Sequence, residues 1–259
     1  MENLVKLDVI EGIARVTLNR PKVFNAFGLT MIQNLAEKLI GLAMDKRVRG
    51  VIITGEGKAF CAGADLKWVS DFGRSYGEAF HELAARYHQA ILEIRRMPKP
   101  VVAAINGIAA GGGFSIALAC DFRVMEASAV LRQAYTSNGL SIDGGGTFTL
   151  PRLVGLARAM EIAAFDRPIS AKQALSWGLV TEVVEDGRAA QRAIELIEEM
   201  KTIALSSFAA CKKLINDSFD TSFETQLEEE RETLSWCADH PNGREGIAAF
   251  LEKRKPRYA

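Results

Sequence analysis

The chain has 259 residues, of which 48% are apolar and 25% charged, a composition typical of a soluble globular protein with a sizeable core. Its 32 basic and 32 acidic side chains cancel, which removes the usual electrostatic reason to expect a nucleic acid or an anionic membrane as partner. Three histidines leave little material for a metal centre, so we predict no metal site. The four cysteines have no C-x-x-C spacing and the N-terminus carries no signal peptide, which favours reduced thiols in a cytoplasmic protein.

Alternating and continuous apolar runs indicate the strands. Residues 4–18 alternate on either side of Glu11-Gly12, a turn-like pair, which predicts a β-hairpin with one buried face. Three later runs are continuous, and such runs predict strands that are covered on both sides. They are Val51–Ile53, Val101–Ile105 and the segment 179–184.

The segment Val101–Cys120 carries no charge and is long enough to cross a bilayer. However, it contains Asn106 and four glycines, and Asp121 follows at once. We therefore expect a buried strand, a glycine turn and a short buried helix instead of a membrane span.

Four Ser/Thr-x-x-Glu/Gln patterns predict helix starts, because such pairs form capping boxes. They are Thr30…Gln33, Ser75…Glu78, Ser170…Gln173 and Thr221…Glu224. Strands and helices alternate as far as about Val184, and helical patterns dominate afterwards. This order predicts an α/β core with a helical tail.

Three glycine-rich segments stand out from this scaffold: Gly57–Lys67, Asn106–Gly113 and Gly139–Thr147. Glycines after buried strands let backbone N–H groups approach a ligand, because no Cβ blocks the way. Two such turns that face each other could form an oxyanion hole with two donors. The alternative is that the glycines only serve tight turns and close helix packing. No segment has the pattern of a Walker A loop or a dinucleotide-binding turn.

Taken together, these segments show that the sequence resembles the crotonase family, also called the enoyl-CoA hydratase/isomerase family, over nearly its whole length. The matching motifs are Asn19–Lys22 with Asn25-Ala26, Gly57–Lys67, Lys99–Gly113, Cys120–Arg123, Gly145–Thr147, Leu150–Gly155 and Ser170–Val180. The resemblance implies a spiral of β-β-α units over residues 1–200, which holds the acyl-CoA site, and a helical C-terminal trimerisation region over 201–259. It also implies a homotrimer or a dimer of trimers.

The resemblance further implies an acyl-CoA thioester as substrate, with coenzyme A bound as part of that substrate and no separate cofactor. Two backbone N–H groups, those of Ala64 and Gly112, are then expected to polarise the thioester carbonyl and to stabilise the enolate formed from it. The positions expected to contact the substrate are Lys22, Ala62, Asp65, Leu66, Lys67 and Gly111. For Lys22 and Lys67, a plain surface lysine remains an equally good interpretation. The basic residues of 253–257 are either a solvated end or a contact to an anionic ligand.

The sequence departs from the family pattern at its acid–base positions. A typical hydratase of this family uses two glutamates, and the corresponding positions here are Ser115 and Tyr135. Hydration of a double bond needs one group to activate water and another to deliver a proton. The absence of both glutamates therefore argues against ordinary hydratase activity.

One carboxylate, Asp143, lies where single-carboxylate isomerases of the family carry their catalytic acid. Our first hypothesis is an enoyl-CoA isomerase with Asp143 as proton shuttle. The second is an aryl-CoA dehalogenase or hydrolase with Asp143 as nucleophile and His88 as helper, since both align with dehalogenase residues. The third is a catalytically silent acyl-CoA-binding protein. Asp143 could also be a plain helix cap on Gly145 and Gly146, and His88 a polar helix residue.

Overall fold

The structure, a computed structural model, describes residues 3–200 and 202–258. Its strands are β1 Val5–Ile10, β2 Ile13–Leu18, β3 Gly50–Gly55, β4 Ala59–Cys61, β5 Val101–Ile105, β6 Ile108–Ala110, β7 Phe122–Glu126, β8 Val130–Arg132, β9 Ile169–Ser170 and β10 Glu182–Val184. Its α-helices are α1 Leu29–Met44, α2 Leu66–Ser70, α3 Tyr76–Arg96, α4 Gly112–Ala119, α5 Gly146–Val154, α6 Leu156–Phe165, α7 Ala171–Ser176, α8 Ala189–Met200, α9 Leu205–Asp217, α10 Phe223–Asp239 and α11 Pro241–Leu251.

The strands form two sheets, with six strands in the order β1-β2-β3-β5-β7-β10 and four in the order β4-β6-β8-β9. The chain passes from one sheet to the other and then into helix, as in β3-β4-α2, β5-β6-α4 and β7-β8-α5. Neighbouring strands from successive turns are parallel, which requires such crossovers. This is a spiral of β-β-α units, and the predicted fold class is confirmed.

The strand predictions hold except at the two edges of the larger sheet. The segment 179–184 was predicted as a strand covered on both sides, but only Glu182–Val184 forms a strand, β10, and its three residues are half-buried because it lies at an edge. β3 and β5 are buried along their whole length, as their continuous apolar runs predicted. The hairpin forms, with Glu11 and Gly12 both at positive φ. The prediction of a buried face on β1 was wrong, because β1 is an edge strand and only Val5 at its start is buried.

Two of the four predicted capping boxes form, at Ser75 and Ser170. The prediction at Thr30 was wrong, because Gly28 is the residue that precedes the first turn and α1 begins at Leu29. Gly28 has an extended backbone and packs against the Trp68 ring, where a Cβ would lie 2.9 Å from the ring. The prediction at Thr221 was wrong by one residue. The neighbouring Ser222 accepts from the Thr225 amide and caps α10 instead.

The uncharged segment 101–120 forms β5, β6 and the buried helix α4, as predicted apart from the extra short strand. None of the helices in the described residues is long and apolar enough to cross a membrane. The four cysteines are free thiols, and burial raises the pKa of Cys61 and of Cys120 to about 12, so both are unreactive packing residues.

The last three helices follow the spiral, and α9 is tied to it by a buried lysine. Lys212 Nζ lies 2.8 Å from Asp121 Oδ2 and donates to the carbonyls of Ile94 and Lys99. In the C-terminal basic cluster, Arg254 is paired with Glu245. The division of the chain at 200/201 stays a prediction, and its boundary residues 201 and 259 lie outside the described residues.

Candidate active site

A cavity of about 730 Å³ opens between α3, the loop that follows β4 and the loop that precedes α5. Its wall is mainly apolar, and several of the residues singled out from the sequence meet there. These are Ala64, Leu66, Gly112, Tyr135 and Asp143. Concave, mainly apolar cavities with a few convergent polar groups are the usual form of small-molecule sites.

The two predicted backbone donors face this cavity without internal partners. Ala64 forms an isolated parallel bridge with Phe27, in which the Phe27 amide donates to Gly63 O and the Asp65 amide donates to Phe27 O, both at 2.9 Å. Gly112 is the first residue of α4, where amides have no helical acceptor. Within residues 3–200 and 202–258, neither the Ala64 amide nor the Gly112 amide has a protein acceptor. Both are therefore free to bind an oxyanion.

Glycines bring these two segments into direct contact. A Cβ on Gly63, which has φ 93°, would lie 2.8 Å from the Gly112 nitrogen. A Cβ on Gly113 would lie 2.1 Å from the Cys61 carbonyl oxygen. Real Cβ atoms do not approach so closely, so only glycine permits this spacing. Close packing and an oxyanion hole are therefore compatible interpretations of these glycines, because the close packing is what places the two amides side by side.

Two other predicted contact residues lie beneath the donors. The Ala62 amide donates to Phe24 O at 2.9 Å, and the Gly111 amide donates to Arg132 O at 3.2 Å. Gly111 has φ 53°, and a Cβ there would lie 3.6 Å from Ala62 O. Ala62 and Gly111 thus anchor the two donor loops to neighbouring segments through their backbones.

Asp143 lines the cavity and contacts His88, whose Nε2 lies 2.7 Å from Asp143 Oδ1. This hydrogen bond joins the two side chains directly. The interpretation of Asp143 as a helix cap is wrong. The Gly146 amide donates to the Asp143 main-chain oxygen at 3.2 Å, and the side chain turns to His88 instead.

Ser115 and Tyr135, which stand at the glutamate positions of hydratases, support the loop that carries Asp143. The buried Ser115 hydroxyl donates to the main-chain oxygen of Asp143 at 2.7 Å. Tyr135 interacts with the Ser115 side chain and the Asp143 backbone. Burial raises the pKa of Tyr135, so its hydroxyl stays protonated. Two neutral hydroxyls therefore replace the two carboxylates.

Of the predicted contacts on the loop after β4, only Leu66 lines the cavity. Asp65 caps α2 and forms an ion pair with Arg20 at 2.8 Å. Burial alone would raise the pKa of Asp65, but the hydrogen bonds from Arg20 and from the α2 amides outweigh it and hold that pKa below its usual value. Asp65 is thus occupied within the fold.

The two lysines predicted near coenzyme A lie on the surface outside the cavity wall. Lys67 pairs with Asp71 at 2.9 Å and its side chain is 83% exposed. Lys22 is exposed in a 3-10 turn over Pro21–Val23 and has no ion pair with any described residue. Both positions remain accessible to a phosphate group.

The part of the cavity wall that α3 and the Phe27 ring form was not predicted from the sequence. The missed α3 residues that line the cavity include Phe80, Leu83, Ala84 and Tyr87. Their spacing of three and four residues puts them on one helix face, and this signal was present in the sequence. His88 follows at once, so α3 supplies both the wall and the partner of Asp143.

Comparison with known proteins identifies the fold and the family. The enoyl-CoA hydratase/isomerase family profile matches residues 8–259. A solved enoyl-CoA hydratase from Polaromonas sp. JS666 superposes with a TM-score of 0.93 at 38% identity, over 98% of this chain and 99% of that one. The chain belongs to the enoyl-CoA hydratase/isomerase family. The resemblance inferred from the motifs is confirmed, and members of this family process acyl-CoA thioesters.

Relatives within the family carry different names. The 1,2-epoxyphenylacetyl-CoA isomerase of Escherichia coli (strain K12) is 35% identical, over 100% of this chain and 99% of its own length. The 4-chlorobenzoyl coenzyme A dehalogenase-2 of Arthrobacter sp. is 31% identical, over 96% of this chain and 91% of its own length. Hydratase, isomerase and dehalogenase names thus occur among the similar proteins, and membership of the family leaves the reaction open.

Proposed function

We propose that this protein is a CoA-thioester isomerase that shifts a double bond, with Asp143 as the proton shuttle and the amides of Ala64 and Gly112 as the oxyanion hole. One observation carries the proposal. Among the described residues that line the cavity, Asp143 is the only carboxylate, and it shares the cavity with both free amides.

A 1,3-proton shift needs one base and one site for negative charge. Asp143 takes the α-proton of a 3-enoyl-CoA, and the electron pair of the broken C–H bond moves into the conjugated system and onto the thioester oxygen. The amides of Ala64 and Gly112 donate to that oxygen in the dienolate. The protonated Asp143 then returns the proton to the γ-carbon, which leaves a 2-enoyl-CoA and restores the carboxylate. One such backbone donor lowers the barrier by about 3–4 kcal/mol.

The surroundings of Asp143 suit proton transfer better than hydration. Ser115 and Tyr135 stand at the hydratase glutamate positions, and both are neutral hydroxyls that support the Asp143 loop. The cavity therefore offers one carboxylate, which can move one proton between two carbons. Among the described residues that line it, no second carboxylate is present to activate water while the first delivers a proton.

Proton exchange in heavy water tests this proposal. A panel of 3-enoyl-CoA and 2-enoyl-CoA esters incubated with the protein should gain deuterium at the α- and γ-carbons, as read by mass spectrometry, together with double-bond migration. The Asp143→Asn variant should lose about 10²–10⁴-fold of the exchange rate, the contribution of a positioned acid–base group. Asp8→Asn, which changes an exposed aspartate on β1, is the matched control and should exchange at the wild-type rate. Unchanged exchange in Asp143→Asn contradicts the proposal, and binding without exchange supports a silent acyl-CoA-binding protein.

The contact between His88 and Asp143 favours a second candidate, an aryl-CoA dehalogenase. In that reaction the Asp143 carboxylate adds to the ring carbon that bears the halogen, and the halide leaves with the electron pair of the broken bond. Water then hydrolyses the aryl ester and restores Asp143, with His88 as base. Chloride release from 4-chlorobenzoyl-CoA, with ¹⁸O from labelled water entering Asp143, supports this candidate over the isomerase.

A further inference from the structure

Tyr87, a residue of α3 that lines the cavity, contacts both the Gly112 segment and the loop that carries Asp143. It is 2% exposed, and its hydroxyl donates to the Gly112 main-chain oxygen at 2.6 Å. Burial raises the pKa of Tyr87 well above its usual value, so the hydroxyl keeps the proton that it donates. Tyr87 therefore holds the residue whose own amide is one of the two free donors.

Tyr87 also reaches the second free amide, through Phe27. The Tyr87 and Phe27 rings stack with centroids 5.1 Å apart. The backbone of Phe27 pairs with Ala64, and its ring fits against Gly112, where a Cβ would lie 2.5 Å from that ring. One stacked pair of rings thus contacts both segments that carry the donors.

The hydroxyl end of the Tyr87 ring supports the loop that carries Asp143. A Cβ on Gly144, the residue after Asp143, would lie 2.4 Å from the Tyr87 ring, so the loop packs directly on the ring. His88, the next residue of α3, contacts the Asp143 carboxylate. Interiors are close-packed and transmit small displacements, so the position of Tyr87 sets the distance between base and oxyanion hole.

We infer that Tyr87 is a positioning residue that, together with the stacked Phe27 ring, fixes the position of the Gly112 amide relative to the Asp143 carboxylate. The inference rests on the proposed function, because it assumes that the Gly112 amide polarises the thioester carbonyl. Its specific content is that the buried hydroxyl of Tyr87 orients residue 112 through the Gly112 carbonyl. Loss of that one hydroxyl should weaken carbonyl polarisation while substrate binding and the fold are kept.

Tyr87→Phe tests this, because it removes the hydroxyl and keeps the ring stack. The readout is the absorption band of bound cinnamoyl-CoA, which has no γ-hydrogen and so cannot be isomerised. The band moves to longer wavelength as the thioester carbonyl is polarised. In Tyr87→Phe we expect a smaller band shift and about tenfold slower α-proton exchange on a reactive ester, the effect of one hydrogen bond. The KM and the melting temperature should stay near the wild-type values.

Thr54→Val is the matched variant, because it also removes one buried hydroxyl that donates to a main-chain oxygen, at 2.9 Å to Ala104, and it lies outside the cavity wall. It should leave both the band shift and the exchange rate at their wild-type values. Fluorotyrosine at position 87 keeps the shape and strengthens the donor, and should enlarge the band shift even if Tyr87→Phe folds poorly.

The two possible failures give different results. If wild-type protein binds cinnamoyl-CoA without any band shift, the oxyanion hole and the proposed function both fail. If the wild-type band shifts but Tyr87→Phe and the fluorotyrosine protein show the same shift, the inference about Tyr87 is overturned and the proposed function stands. A band shift that decreases in Tyr87→Phe and increases with fluorotyrosine supports the inference.

Discussion

At the scale of single residues, the site depends on where a side chain is missing as much as on where one is present. The proposed chemistry uses one carboxylate, Asp143, and two backbone amides. The amides can meet because Gly63 and Gly113 carry no Cβ where the neighbouring backbone passes. The donor geometry is therefore encoded in glycine positions, which explains why it can be read partly from the sequence.

Substitution of Gly113 by alanine should separate the donor loops. The added Cβ would lie 2.1 Å from Cys61 O. That carbonyl belongs to the buried strand β4, so a shift of its backbone would disturb the surrounding packing. We expect a loss of about 10²–10³ in α-proton exchange, the effect of removing one oxyanion donor. Gly41→Ala on α1 is the control, because nothing lies within 4 Å of the added Cβ. It should leave exchange unchanged and raise the free energy of unfolding by about 0.5–1 kcal/mol. Equal exchange rates in both variants contradict the prediction.

At the scale of elements, α3 and α9 show how helices outside the sheets position the site. α3 supplies a cavity wall, the partner of Asp143 and the ring beneath Gly144. α9 is joined to the end of α3 through Lys212, which donates to Ile94 O and pairs with Asp121. This buried pair links the C-terminal helices to the core, so its loss should affect the whole fold.

Lys212→Met should lower the free energy of unfolding by about 3–5 kcal/mol at neutral pH, because it leaves the Asp121 carboxylate buried without its cation. Burial already raises the pKa of Asp121, and Lys212 opposes that effect, so the variant should raise this pKa further. Because the folded-state pKa of Asp121 then lies above its unfolded value of about 3.9, the carboxyl takes up a proton in the folded state first as the pH falls. The destabilisation caused by its buried charge is therefore gone below about pH 3.9. The deficit should therefore shrink as the pH falls from 7 towards 4, as measured by urea unfolding.

The double variant Lys212→Met/Asp121→Asn is the control for this prediction. It removes the buried charge together with its partner, so it should recover part of the lost stability and lose the pH dependence of the deficit. If the single and double variants are equally unstable at every pH, the buried charge is not the cause.

At the scale of the whole molecule, the C-terminal helices leave large apolar side chains in contact with solvent. Phe223, Leu234, Phe250 and Leu251 are each more than 70% exposed in the single chain. Apolar surface of this extent usually marks an interface. It is consistent with the homotrimer or dimer of trimers implied by the family resemblance, which stays a prediction.

Light scattering coupled to size exclusion should give the mass of three or six chains. Phe250→Asp, which puts a charge on a side chain that is 83% exposed in the single chain, should shift the mass towards one chain. Lys255→Asp changes charge at an exposed polar position of the same region and should keep the wild-type mass. A wild-type mass of one chain contradicts the prediction.

Much of the fold could be read from the sequence because local patterns specify it. Continuous apolar runs predicted β3 and β5, and the uncharged segment 101–120 predicted the short buried helix α4. The errors have local physical causes. α1 begins two residues before the start predicted at Thr30, and α10 begins one residue after the start predicted at Thr221 because Ser222 is the cap. β1 alternates like a half-buried strand although it lies at the edge of the sheet. Motif order also identified the family.

The sequence by itself thus determined the element types and the family, since both depend on patterns along the chain, and the family resemblance singled out Ala64, Gly112 and Asp143 as candidates. Tertiary structure decided which partners they meet. It turned the Asp143 side chain to His88, 55 positions away, engaged Asp65 with Arg20, and placed Tyr87 under both Gly112 and Gly144. Such contacts join residues that are distant in the chain, and only the packing of α3 against the two donor loops brings them together.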